Sequence, residues 1–415
     1  MKVAEVKLLD HAKKYVAAGV SLDSLKITSY DTPILRSVIG WKQRDRLPLM
    51  VDLNEKDDEL LVHAVHVEST ATANNASTTS NTSNNKIAQT PLVLLHGYMN
   101  ASAYFYRNLL GLTRFYRSIY SLDLLGWGLS SRPDFNQLKD TSVESSEEFF
   151  VESLEAWRIQ NKIDKMILAG HSMGGYLSVA YCEKYPQNVE RLILLSPVGV
   201  NDKNSQNFKD REARINSSYR SWAMFGIFRA AFVSTTPAAV LRAMPESRAY
   251  NLALGYVQRR LPEIEGVDEQ TAVSNYLFQS NTLPGSGEYA LSRILESTVT
   301  ARRPLQFRIP KLEVPNVSFL YGSHDWMDIS GGTTTQALCR TAGDAAPKIQ
   351  VHVVNEAGHL LMLQNWRAVN AGLILCGGGE ISDEERKELT TLDATAGNDA
   401  DDDDGVATPE GGTAA

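Results

Sequence analysis

Cysteine is scarce in this chain: three residues in 415, Cys182, Cys339 and Cys376, with no C-x-x-C pair. That excludes a disulfide-built scaffold and fits a reducing, intracellular compartment. Long apolar runs are missing too. No stretch reaches the ~18 residues a spanning helix needs, which excludes a multispanning membrane protein. The first residues hold Lys2, Lys7, Lys13 and Lys14 but no arginine, and Glu5 and Asp10 sit among them. An organelle transit peptide is Arg-rich and poor in acids, so this composition argues against one, and no secretory signal is visible. The rest is ordinary for a globular chain. It is 43% hydrophobic and 22% charged, which rules out a wholly disordered or collagen-like protein.

The acidity is localised. Residues 380–415 contain twelve acidic and two basic residues, a balance of −10 against a total of −8, so the rest of the chain sits at +2. Residues 377–415, ending in Asp401–Asp404 and a Gly/Ala/Thr-rich stretch, read as an acidic disordered tail. A nearly neutral body with an acidic tail argues against a nucleic-acid partner.

Hydrophobic spacing divides the remainder. Val6, Leu9, Tyr15 and Val16 fall at roughly helical intervals and predict an N-terminal helical segment over 1–44, either docked on the main domain or lying as an interfacial anchor. Residues 59–67 read as a strand. His63 and His66, three apart on it, point to opposite faces and cannot both grip one metal. Residues 69–90 are almost all Ser, Thr, Asn and Ala, a low-complexity loop. Short apolar runs then alternate with helical patterns: Pro91–Leu95, Ser118–Asp123, Lys165–Ala169, Arg191–Leu195 and Val317–Tyr321. This alternation predicts an α/β fold with a mostly parallel central sheet, its core in two parts over 45–199 and 311–376. Residues 200–310 break the alternation and read as an inserted helical cap. Its most apolar piece, Trp222–Val233, reads as buried lid core or as a surface that dips into lipid.

Ligands of parallel sheets lie at the carboxyl ends of the strands, and the chemical motifs fall there. Gly170-His171-Ser172-Met173-Gly174 follows one strand and opens one helix. The glycines permit a sharp turn that lifts the Ser172 hydroxyl above the sheet, with helix N–H groups aimed at the same spot. Serine needs a base. His359, in the loop after the strand-like Ile349–Val354, is the candidate, and His171 reads as a brace inside the turn. The base needs an acid to fix its tautomer. Asp325 and Asp328 compete, both in Tyr321–Asp328 after a strand, with Asp325 nearer the strand end. Either gives the chain order Ser, Asp, His. Two backbone donors are needed for an oxyanion: Met173 N–H is one, and Tyr98 N–H, in the loop His96–Asn100, is the candidate for the other. The His96 side chain reads as shaping that loop. No metal or cofactor is called for.

Together these motifs resemble the α/β-hydrolase superfamily over residues 45–375. Glu148–Trp157, Gly170–Tyr176, Leu194–Gly199, Gly285–Ala290 and Tyr321–Asp328 resemble more closely the fungal cardiolipin-specific deacylase family, with its lysophosphatidic acid acyltransferase-like members and its kinship to the animal coactivator of adipose triglyceride lipase. The resemblance implies a phospholipid substrate at a membrane surface, cardiolipin or a similar glycerophospholipid, with the mitochondrion as compartment; cytoplasm and lipid droplet are the alternatives. Protein partners stay unknown. The animal coactivator lacks the nucleophilic serine, whereas Ser172 is present here. Many relatives carry aspartate five positions after the histidine, a pattern linked to acyl transfer, and this chain has Gln364 there. The expectation is a serine-dependent lipid acyl-ester hydrolase. Its rivals are an acyl-CoA-dependent lysophosphatidic acid acyltransferase and a non-catalytic lipid-surface coactivator.

Overall fold

A computed structural model describes residues 1–18, 20–39, 59–70, 87–138, 140–205, 208–209, 213 and 235–393. The apolar piece Trp222–Val233 and most of the low-complexity loop therefore lie outside the described residues.

Among the described residues nine strands form one sheet: β1 (Leu25–Leu35), β2 (Glu59–Ser69), β3 (Leu92–Leu95), β4 (Ser118–Leu122), β5 (Met166–His171), β6 (Val189–Leu195), β7 (Asn316–Gly322), β8 (Lys348–Val354) and β9 (Leu389–Leu392). Their order is β1-β2-β4-β3-β5-β6-β7-β8-β9. Strands β3 to β8 run parallel. Every residue of β3 and β5 is buried. Helices cover both faces of such a sheet, so its central strands read as unbroken apolar runs rather than as alternation.

The helices follow local signals. Helix α1 spans Lys2–Ala12. Helix α2, Val143–Gln160, starts where Ser142 accepts Ser145 N–H at 3.0 Å. Helix α3, Met173–Lys184, opens directly on Ser172. Between β6 and β7 stand α4 (Pro237–Arg242), α5 (Glu246–Arg260) and α6 (Val267–Thr282), the described helical part of the predicted insertion. Helix α7, Ser330–Ala342, and helix α8, Trp366–Cys376, complete the layers. No described helix is long and apolar enough to cross a membrane.

Two boundaries differ from expectation. The N-terminal 44 residues are not all helical: α1 is followed by β1, which pairs antiparallel with β2 along eleven positions. Of β1 only Thr32 and Ile34 are buried, because an edge strand has a partner on one side only, and that mixed pattern hides it. The tail starts later than residue 377. A helical turn at Asp383–Lys387, closed by a Ser382/Glu385 capping box, leads into β9. Strand β9 then pairs antiparallel with β8. Residues 394–415 lie outside the described residues.

Helix α1 docks on the body. Ala4, Glu5, Leu8, Leu9 and Ala12 are buried. Glu5 reaches a buried imidazole: its Oε2 lies 2.9 Å from His63 Nε2, while His63 Nδ1 lies 2.6 Å from Asp31 Oδ1. Ser29 Oγ donates to Glu5 Oε1 at 2.6 Å. Burial opposes charge on His63, but the hydrogen bonds it donates to Glu5 and Asp31 and the nearby charges of Asp123 and Glu5 raise its pKa to about 9. Three residues further on, His66 stacks on Tyr120 at 4.2 Å and has no part in this network. The other end of the segment holds the insertion. Tyr15 and Tyr106 donate to Glu269 of α6 at 2.5 and 2.6 Å, and buried Arg107 pairs with the same carboxylate at 3.0 Å.

Glu5→Gln strips one carboxylate from a buried ion pair and is expected to lower stability at pH 7 by about 3 kcal/mol. A folded pKa above the free value means that the charged His63 stabilises fully below about pH 6.5 and loses that effect as pH rises through about 9. Denaturant titrations of wild type and Glu5→Gln from pH 6 to pH 10 check both points: the gap between the two should narrow towards pH 10.

Candidate active site

Strand β5 ends in a backbone that ordinary residues avoid. Ser172 has φ 53° and ψ −114°. Three glycines make the turn possible. A Cβ on Gly170 would stand 2.3 Å from Gly174 O, and one on Gly174 would stand 2.6 Å from both Leu95 O and His96 O. A Cβ on Gly97 would stand 2.9 Å from Ser172 Cβ, so the loop after β3 lies directly against the serine. Tyr98 follows Gly97 in that loop, and Met173 opens α3. Among the described residues neither backbone N–H meets a backbone acceptor.

The predicted partners converge on the serine. Ser172 Oγ lies 3.1 Å from His359 Nε2, and His359 Nδ1 lies 3.1 Å from Asp325 Oδ1. The Asp325 carboxylate is fully buried, and its Oδ1 also accepts Met327 N–H at 2.9 Å. Asp328 does not reach the imidazole. Its carboxylate takes Ser330 N–H at 3.0 Å and the Asn201 side-chain amide, and so fixes the start of α7. Of the two competing acids, Asp325 is the one brought to His359. Such a chain can take the proton of a hydroxyl nucleophile and hold the resulting imidazolium.

The other histidines are occupied. His96 Nδ1 donates to Gly97 O at 2.8 Å and its Nε2 accepts Leu124 N–H at 3.0 Å, so both ring nitrogens shape loops. Burial lowers its pKa. His171 Nε2 donates to the carbonyl of His359 at 2.8 Å, bracing the base from below. Burial first, then the neighbouring His359, holds His171 well below the ordinary range and keeps it neutral.

Two further residues hold the site: Gln364, marked in the sequence only by its place five positions after the histidine, and Trp326, which carried no usable signal. The Gln364 side chain accepts Gly358 N–H at 2.8 Å, one residue before His359, and its amide donates to Arg260 O at 3.4 Å. It clamps the base loop between β8 and α5. Trp326 lies beside the base, ring centroids 5.0 Å apart, and is 49% exposed. An aromatic next to an acid has no spacing that marks it in advance.

Only one group of side chains among the described residues has donor atoms close enough for a metal: Glu5, His63 and Asp123. All three are already engaged. Asp123 accepts Ser102 N–H at 2.6 Å and Leu129 N–H at 2.7 Å, and the other two pair as described above.

A serine on a strand–elbow–helix, followed in the chain by Asp and His on loops after two later strands, defines a class, and the comparisons agree with it. The α/β hydrolase fold family matches residues 90–365. Rat "1-acylglycerol-3-phosphate O-acyltransferase ABHD5" is 36% identical over 262 residues, covering 62% of this chain and 69% of the relative. Human "(Lyso)-N-acylphosphatidylethanolamine lipase" is 34% identical over 250 residues, covering 59% and 68%. The epoxide hydrolase VrEH1 of Vigna radiata superposes with a TM-score of 0.51 at 14% identity, covering 85% of this chain and 98% of that one, a likeness of fold alone. The chain belongs to the α/β hydrolase fold family, among its ABHD5-like members.

Asp325→Asn should slow the labelling of Ser172 by a fluorophosphonate probe by about 10³–10⁴, because an amide can hold the wrong imidazole tautomer. Stopped-flow or gel-based labelling rates check this, and an unchanged rate would move the acid's role to Asp328.

Proposed function

We propose that this chain is a serine-dependent hydrolase of lipid acyl esters, acting on glycerophospholipids at a membrane surface. The observation that carries the reading is the continuous hydrogen-bonded row Ser172–His359–Asp325, with steps of 3.1 and 3.1 Å, under a strained elbow. In the proposed reaction His359 takes the Ser172 proton as Oγ attacks the ester carbonyl. The amides of Met173 and Tyr98 hold the oxyanion. The C–O bond to the glycerol breaks, the lyso-lipid alkoxide takes the proton from His359, and an acyl-enzyme remains. Water, deprotonated by the same imidazole, then releases the fatty acid. The lipid class rests on the relatives, whose names carry acyl chemistry on glycerophospholipids. Cardiolipin and a mitochondrial membrane, implied by the family resemblance, enter as arms of the test; lipid-droplet and cytosolic fractions are the alternatives to compare.

A second reading, acyl transfer to a lysophospholipid, draws on the names of the ABHD5 relatives. It uses the same acyl-enzyme, with a lipid hydroxyl in place of water. The position linked to acyl transfer holds Gln364, which is bound to Gly358 N–H and does not face the serine's chemistry. A third reading, a non-catalytic coactivator, has no use for the assembled row of Ser172, His359 and Asp325.

Purified protein on mixed phospholipid liposomes should release free fatty acid and lyso-lipid, read by mass spectrometry, and Ser172→Ala should reduce that release at least 10³-fold. Acyl chains moved onto added lysophosphatidic acid, without free fatty acid, would favour the second reading. Gln364→Asp is one methylene too short to keep the Gly358 clamp. It should lower kcat about tenfold and should not raise the transfer-to-hydrolysis ratio; a raised ratio would return the acyl-transfer reading to first place.

A further inference from the structure

Beside the site lies a small cavity of about 60 Å³, walled by Pro197, Asn201, Asp202, Thr300, Trp326 and Asp328, among others. It touches the catalytic row on two sides. Trp326 forms one wall and also packs on His359. Pro197 forms another, and the next residue, Val198, donates its N–H to Ser172 O at 3.3 Å.

Its charge is one-sided. Among the described residues that line it, none is Lys, Arg or His. The Asp202 carboxylate accepts Asn204 N–H at 3.0 Å and Asn204 Nδ2 at 2.9 Å. Asp328 accepts Ser330 N–H at 3.0 Å and the Asn201 amide. All of these donors are neutral. The adjacent cation, Lys203, is taken by Glu296 at 2.8 Å. Close by, the Tyr321 hydroxyl is fully buried without a hydrogen-bond partner among the described residues. Burial first, then the charges of Asp325 and Asp328, pushes its pKa up. Among the described residues, the cavity thus sets two carboxylates that have no cationic partner beside a wall formed by the Trp326 indole. That pairing attracts organic ammonium groups, through Coulomb attraction and the negative ring face together.

We propose that this pocket receives the ammonium group of a zwitterionic glycerophospholipid head, ethanolamine in preference to the bulkier choline, while the acyl ester lies at Ser172. The inference rests on the proposed hydrolase reading for its substrate, but the pocket can be tested apart from turnover. Cardiolipin carries no ammonium and serves as the discriminating control.

The first experiment is calorimetric titration of full-length Ser172→Ala protein with glycerophosphoethanolamine, and with glycerol 3-phosphate, which lacks the ammonium. Saturable binding of the former, at least tenfold tighter than the latter, is expected. Trp326→Leu and, separately, Asp202→Asn should each weaken it at least tenfold; Trp326 is exposed and Asp202 half-buried, and melting curves confirm the fold. Equal binding of the two probes, no saturable binding, or affinity unmoved by both substitutions would overturn the proposal. The second experiment compares kcat/KM on phosphatidylethanolamine, phosphatidylglycerol and cardiolipin vesicles. A preference for phosphatidylethanolamine that shrinks in Trp326→Leu supports the pocket. Fatty acid released from all three lipids at one rate would sink the pocket and leave the hydrolase. Probe binding without any fatty acid release would keep the pocket and sink the hydrolase.

Discussion

The site depends on one strained residue. Ser172 at φ 53° and ψ −114° sits where a non-glycine side chain is rarely found, a strain of order 1–3 kcal/mol. It persists because its surroundings leave it no alternative. Leu95 and His96 carbonyls press on Gly174, Gly174 presses on Gly170, and Gly97 presses on the serine itself. Each of these approaches is too close for a Cβ. The parallel strands β3 and β5, hydrogen-bonded side by side and fully buried, set those backbones at that spacing. The sheet holds the turn, and the turn lifts the hydroxyl.

The second requirement is that two separate loops meet the serine in register. They are joined at the backbone before any side chain is considered. Ser323 N–H donates to Val354 O at 3.0 Å and His324 N–H to Ala357 O at 2.8 Å, so the acid loop and the base loop leave the sheet as a pair. Gly322 allows it: a Cβ there would stand 2.4 Å from the carbonyls of Ala357 and Gly358. The distance from Asp325 to His359 thus follows from pairing between β7 and β8, and Gln364 and His171 then fix the imidazole's position from two more sides.

This division explains what was legible in the sequence. The buried strands, the elbow and the Ser–Asp–His order were legible because burial on both faces leaves continuous apolar runs and because the turn demands glycine at fixed offsets. The preference for Asp325 over Asp328 followed from its place nearer the strand end, but distance alone could not exclude Asp328. What excludes it is the start of α7, which uses the Asp328 carboxylate. Strands β1 and β9 escaped notice for a different reason. β1 contains Pro33 and buries only Thr32 and Ile34, and β9 is four residues set in acidic sequence. Edge strands are defined by a partner far away in the chain, and local pattern does not reveal it. The same holds for Glu5 and His63, which are 58 positions apart.

How the histidines are used separates structure from chemistry better than their sequence positions do. His63 is held between two carboxylates, and its raised pKa keeps it charged and unable to act as a base near neutral pH. This matters because Ser29, His63 and Asp31 lie within hydrogen-bond distance in the same relative order as a nucleophile, base and acid. Ser29, however, donates to Glu5, whose carboxylate also occupies the imidazole's other nitrogen. A Ser–His–Asp row with an added carboxylate at the nucleophile end is an ion cluster, whereas the row at Ser172 has no such group among the described residues. The side chains alone do not make a reactive centre. What distinguishes Ser172 is that the neighbouring imidazole keeps one nitrogen for the serine and the other for Asp325.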